Sequence, residues 1–205
     1  MFIVRHRVNT LERISPELGI EFDVRESSFG VMVTHDPWTP GPSLNEFLDA
    51  QKGRPFYIVN IKCEGIESRV LDALAKHGIT NFFLLDCSFP TIVKLSASGE
   101  SRLAIRRSEY EDIPLSLRGK VEWIWIDCFS KVPVSQKECE MLRALGFKLC
   151  FVSPELHGRP NDLLDYGIQM TGYVDMVCTK LPNAWKDLSE IFQLASEVLP
   201  QPDFR

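Results

Sequence analysis

The chain has 205 residues, which suits a single domain spanning 1–205. Its 44% hydrophobic share is ordinary for a globular protein, and no apolar run approaches the roughly 18 residues of a membrane span. A net charge of −5 excludes nucleic-acid binding driven by charge alone, while leaving room for a local phosphate pocket.

The N-terminal apolar stretch stops at Arg5-His6, short of the about 7–15 residues of a secretory core, so the expected location is cytoplasmic. Short runs rich in Ile, Val, Phe and Trp then recur along the chain. The predicted strands are 3–7, 20–24, 56–62, 82–86, 103–107, 121–127, 148–152 and 175–179, with a further β-like piece at 31–34. Helices are predicted between them. Ser43 to Gln51 opens on a capping-box spacing with Glu46. Ile66 to His77 carries Ile66, Val70, Leu71, Leu74 and Ala75 on one face and stops at Gly78. Ser135 to Leu145 stops at Gly146 in the same way, and Asn183 to Val198 precedes Pro200.

Strand–helix alternation implies a parallel sheet with helical crossovers. Eight such strands predict an α/β fold, a compact (β/α)8 TIM-type barrel near the lower size limit for that fold. An open doubly wound sheet is the alternative, but no G-x-G-x-x-G or P-loop pattern follows any strand. The six cysteines include no C-x-x-C unit and read as small buried hydrophobes in a reducing compartment.

Catalytic groups of such barrels come from the C-terminal strand ends. Those ends offer His6, Arg7, Glu21, Asp23, His35, Asp36, Asn60, Lys62, Glu64, Asp86 and Asp127. Residues two apart on a strand share a face, so Glu21 pairs with Asp23 and Asn60 with Lys62. Two adjacent carboxylates resist ionising together, and a hard divalent cation, Mg2+ or Ca2+, relieves the conflict. Ion pairs with Arg7 and Lys62 relieve it equally, so residue types leave both readings open. His6 and His35 have the ordinary pKa for acid–base work near neutrality. Trp123 and Trp125 share a face and read as core filling.

These residues carry a family pattern. His6-Arg7-Val8-Asn9-Thr10 is followed by Glu21-Phe22-Asp23-Val24, then Gly30-Val31-Met32-Val33-Thr34-His35-Asp36, then Asn60-Ile61-Lys62. Near the end comes Val174-Asp175-Met176-Val177-Cys178-Thr179-Lys180-Leu181-Pro182. In order and spacing the chain resembles the glycerophosphodiester phosphodiesterases, within the phospholipase-C-like phosphodiesterase barrels. The resemblance is dense over 3–36, clear at 56–62 and present again at 173–182. It implies His6 and His35 as the acid–base pair. Glu21, Asp23 and Asn60 would be ligands of one Mg2+ or Ca2+, and Arg7 and Lys62 would bind phosphate. The implied partner is a small-molecule phosphodiester, glycerophosphodiester-like or containing a sugar phosphate.

Three positions depart from that pattern. Val8 replaces a glycine ahead of a shortened segment, which implies trimmed elements there. Asn60 replaces an acid, which implies weaker metal binding unless Glu64 substitutes. Phe151 to Arg159 replaces an aromatic Trp-Thr pattern on the seventh barrel strand. The Asn60 departure motivates an alternative reading, a degenerate barrel that binds a phosphorylated ligand without turnover. A lyase or isomerase acting on a sugar phosphate ranks behind both.

Overall fold

The computed structural model describes residues 1–198; Pro200 and the side chain of Val198, expected to finish the last helix, lie outside them. Eight parallel strands form a nearly closed barrel: β1 (Phe2–Arg5), β2 (Gly19–Ser27), β4 (Tyr57–Ile61), β5 (Phe82–Leu85), β6 (Ala104–Arg107), β7 (Trp123–Ile126), β8 (Lys148–Val152) and β9 (Met176–Thr179). β3 (Gly30–Val33) folds back antiparallel on β2, so the piece expected at 31–34 is the second arm of a hairpin. The sheet runs β5-β4-β2-β1-β9-β8-β7-β6. β1 and β9 join along four residue pairs, Phe2 with Met176 through Arg5 with Thr179. Between β5 and β6 the ladder shrinks to one parallel bridge, Leu84 with Leu103, where the Leu84 amide donates to the Arg102 carbonyl at 2.9 Å.

Four of the eight predicted strands, 3–7, 56–62, 82–86 and 121–127, shorten at their C-terminal ends. His6 and Arg7 follow β1 instead of ending it, and Asp86 follows β5. Arg7 and Asp86 both adopt left-handed backbone, at φ 53° and 59°, which breaks the extended run at the barrel mouth.

Helices α1 (Leu44–Ala50), α2 (Glu67–Lys76), α3 (Phe89–Ala97), α4 (Gln136–Ala144), α5 (Leu163–Met170) and α6 (Pro182–Val198) cover the outside. The capping box at Ser43 and Glu46 forms as expected. His77 caps α2, its Nδ1 2.8 Å from the Ala73 carbonyl. α3 and α5 have no counterpart among the expected helices. α3 carries β-branched residues and a proline, but Pro90 sits in the first turn, where its missing N–H is harmless. α5 contains Gly167, a helix-weakening residue. A Cβ there would meet Leu188 Cδ1 at 2.4 Å, so glycine lets α5 approach α6. No helix follows β1, and only a 3-10 turn at Leu115–Leu117 separates β6 from β7.

Alternation divides every strand between two cores. Outward residues such as Phe22, Val24, Val59, Leu84 and Ile124 pack against the helices. Inward residues Val4, Ile58, Phe83, Trp123, Trp125, Cys150, Met176 and Cys178 fill the barrel, with Phe2 and Phe56 against them. Phe56, Phe83 and Trp123 meet with centroids 5.1–5.8 Å apart, so the indoles are core, as expected. Five cysteines are buried, Cys63 is partly so, and all six are free thiols. Among the described residues no helix is long and apolar enough to cross a membrane.

At the mouth of the weak β5–β6 joint, Arg106 bridges Asp86 and the buried Asp127. Removing one partner of a buried pair leaves a desolvated charge. Arg106→Ala is therefore expected to lower unfolding free energy by about 2 kcal/mol, read by urea denaturation. It should also speed hydrogen exchange at the Leu84 amide more than at Phe22, on β2, two strands in from β5.

Candidate active site

The barrel interior changes from apolar to polar toward the C-terminal strand ends, and the change occurs first on β2. Glu21 pairs in register with Ile58, and Asp23 one step higher with Asn60. Glu21 thus lies at the height of the apolar filling, 1% exposed, and Asp23 is equally buried. The chain leaving β1 wraps over them. Its left-handed turn aims the Arg7 amide at Glu21 Oε2, 2.7 Å away. Asn9 Nδ2 donates to Asp23 Oδ2 at 2.8 Å, and Asn9 Oδ1 accepts from the Asp23 amide at 2.9 Å. From β4, Asn60 Nδ2 donates to Glu21 Oε1 at 2.9 Å.

Cations surround the pair. Lys62 Nζ stands 3.5 Å from Asp23 Oδ1 and 3.3 Å from Asp86 Oδ2. Arg7 Nε is 3.7 Å from Asp23 Oδ2, and His6 Nε2 is 3.7 Å from Glu21 Oε2. His6 continues the inward face of Phe2 and Val4. Burial, then the charges of Arg7, Lys180, Lys62 and His35, pushes its pKa down to about 3, so its imidazole is neutral at physiological pH. Burial, then the neighbouring Asp23 charge, pushes the Glu21 carboxyl up to about 7.

The structure therefore brings Glu21, Asp23, Asn60, Lys62, His6 and Arg7 together. His35 follows β3 on the rim; its Nδ1 is 2.7 Å from Asp36 Oδ1 and its carbonyl accepts from Arg25. Glu64 does not join them. The strand ends at Ile61, and Glu64 lies exposed in the turn before Gly65. Asn9 was legible only as part of the opening motif and carried no assigned role. Lys180, whose charge reaches His6, extends the inward alternation of β9 by one step.

The donor set bears on a divalent cation. Asn60 Oδ1 is buried without a hydrogen-bond partner, and beside it stand two buried carboxylates. Three hard oxygen donors suit Mg2+ or Ca2+. Among the described residues no three His, Cys, Asp or Glu side chains converge as a cage, so a cation here depends on the Asn60 amide and on ligand or water oxygens.

A second polar group occupies the opposite rim. Asp127 Oδ1 lies 2.6 Å from His157 Nε2, and the His157 ring packs on Phe129 at 4.8 Å. The Phe151–Arg159 segment thus places His157 at the mouth. Glu109 accepts from the backbone amides of Phe129 at 3.2 Å, Ser130 at 2.6 Å and Lys131 at 2.8 Å. Burial alone would raise the Glu109 pKa, but the Ser130 and Lys131 amides outweigh it and bring it down to about 2. A carboxyl lowered in the folded state stabilises above its unfolded pKa, about 4.3, and loses that contribution as pH falls through the folded value. The 129–131 loop is therefore expected to keep its amide protection to pH 4 and lose it toward pH 2. In Glu109→Gln, protection should already be reduced at pH 7; hydrogen exchange reads both.

No family model matches this chain, and no curated protein sequence matches it. Among solved structures, it is similar to the crystal structure of glycerophosphodiester phosphodiesterase from Agrobacterium tumefaciens str. C58, at 16% sequence identity and a TM-score of 0.60. The match covers 90% of this chain and 99% of that one, so the described architecture is the TIM-barrel fold of that enzyme.

Proposed function

We propose that the protein hydrolyses a small-molecule phosphodiester. The observation that carries this reading is the layered mouth: two buried carboxylates on β2 with Arg7, Lys62 and His6 around them, and His35 on the rim close enough for its charge to reach His6. The likeness to the solved phosphodiesterase structure supports it. The substrate of this reading is glycerophosphodiester-like or contains a sugar phosphate, and a cytoplasmic setting fits six unpaired cysteines.

In this reading Arg7 and Lys62 bind the phosphate, the first through its planar fork and the second as a point charge. His6 accepts the proton of the attacking oxygen, from water or a neighbouring substrate hydroxyl. The new P–O bond forms as the bond to the leaving alcohol breaks. His35, held by Asp36, gives its proton to that alcohol oxygen. Glu21, Asp23 and Asn60 would hold one Mg2+ or Ca2+, which when bound neutralises charge on the non-bridging oxygens.

A second reading has its own support. Asn60 already donates to Glu21, and Lys62 and Arg7 approach Asp23, so the carboxylates are partly neutralised by the protein itself. A barrel in that state binds a phosphorylated ligand without turning it over.

With a panel of glycerophosphodiesters, His6→Ala and His35→Ala are each expected to lower kcat by about 10²–10⁴-fold while circular dichroism stays unchanged. Full activity in either variant removes that histidine from the mechanism, and no turnover of any diester by the wild type favours the binding reading. Calorimetric titration with Mg2+ and Ca2+ is expected to give saturable binding that Glu21→Ala abolishes. Equal heats from the two proteins would place any cation elsewhere.

A further inference from the structure

A chain of paired charges runs round the mouth, one step per strand from β2 to β7. Asp23 on β2 faces Lys62 after β4, Lys62 faces Asp86 after β5, Asp86 faces Arg106 on β6, and Arg106 faces Asp127 after β7. Trp123 and Trp125 point inward, so Asp127, next in that alternation, points into the mouth. Both of its oxygens are taken, Oδ2 by Arg106 and Oδ1 by His157 Nε2 at 2.6 Å. The chain of charges thus ends on His157, whose Nδ1 has no hydrogen-bond partner among the described residues.

Beside His157 lies an aromatic step. Phe129 packs on its ring with centroids 4.8 Å apart, and Tyr110 follows at 6.0 Å from Phe129. Both outer rings are exposed. The backbone that carries them is nevertheless held from several sides. Glu109 accepts from the amides of residues 129–131, and Arg159 donates to the carbonyls of Cys128 and, at 3.0 Å, Ser130. Glu155, two residues before His157, accepts from the Lys180 amide at 2.9 Å and the Thr179 hydroxyl at 2.6 Å. Exposed rings on a fixed backbone, beside a histidine with one unused nitrogen, form a preorganised surface that loses little freedom when a ligand docks.

The chemistry of this rim narrows the ligand. It does not suit a cation, because Arg106 already engages Asp86 and Asp127. It does not suit an aliphatic chain, which would cover His157 Nδ1 and leave it unpaired. A sugar ring meets both demands: its C–H face covers an aromatic ring, and a hydroxyl at its edge can donate to Nδ1 or accept from it. We propose that this rim is a subsite for the sugar ring of a glycosyl phosphodiester, with Phe129 under the ring and His157 on one hydroxyl. The phosphate lies across the mouth on Arg7 and Lys62. This inference rests on the phosphodiester reading of the mouth, and in it Asp127 is a positioning residue acting through His157.

The test compares two diesters of equal charge, glucosyl methyl phosphate and glycerol methyl phosphate. They are titrated against the wild type and against His6→Ala, in which turnover is expected to be slow. The chain has four histidines, so the His157 imidazole signal is assigned in proton NMR by comparison with His157→Ala. The expected result is a saturable shift of that signal with the glucosyl diester, whose affinity by calorimetry is about ten-fold or more above that of the glycerol diester. Phe129→Ala, which keeps every polar contact of the rim, should erase the preference while circular dichroism stays unchanged. Equal affinities, binding of neither diester, or a His157 signal unmoved at saturation would overturn the proposal. Tighter binding of methylphosphocholine overturns it in favour of a cationic ligand. If the glycerol diester is turned over with dependence on His6 while the glucosyl diester leaves His157 unmoved, the sugar subsite fails and the hydrolase reading stands. A saturable His157 shift with no diester turned over keeps the subsite and removes the hydrolase reading.

Discussion

A carboxylate inside an apolar barrel is the constraint around which the rest of this mouth is arranged. Glu21 sits level with Ile58 and near the Cys150 and Cys178 thiols, where a negative charge has almost no solvent to support it. Its oxygens are satisfied by an amide on each side, the Arg7 backbone and the Asn60 side chain. The first requires the chain to turn sharply after β1, which the left-handed Arg7 achieves. The second gives a reason for an amide at 60: an acid there would add a third buried negative charge and remove the donor that Glu21 uses. Asn9 serves Asp23 in the same way and ties the short β1–β2 connection to the strand it crosses.

The mouth is consequently divided by charge. Arg7, Lys62 and Lys180 lie toward β1, β4 and β9, so an anion is drawn to that side. On the opposite rim, Asp86, Asp127 and Glu111 surround Arg106 and leave it no free charge to offer. The hairpin bearing Arg25 stands beside the cationic half.

Much of this was legible because period-two alternation is strict in a barrel. The spacing of Glu21 with Asp23 and of Asn60 with Lys62 decides which side chains face inward, without knowledge of the neighbours. The hairpin was less legible: Val31–Val33 has strand character, but a short sequence carries no mark of pairing direction. α3 and α5 were hidden for different reasons. Pro90 and its β-branched neighbours argue locally against helix, whereas Gly167 is explained only by Leu188, distant in sequence. The left-handed turn at Arg7 had no signal, and Asp86 carried a weak one, since aspartate enters that region more readily than most residues. The failure of Glu64 to reach the site follows from the strand stopping at Ile61, a boundary that pattern alone locates to within a few residues.

The unequal joints of the barrel divide it mechanically. The β1–β9 junction, which brings together strands far apart in the chain, is paired along four residues; the β5–β6 junction, between close neighbours in sequence, is held by one bridge. The barrel therefore behaves as two curved leaves on a stiff spine. The spine runs beneath His6 and Lys180, and the free edges meet where Arg106 spans Asp86 and Asp127. Opening the entrance along those edges breaks one strand-to-strand bridge, whereas parting β1 from β9 breaks a ladder of four residue pairs.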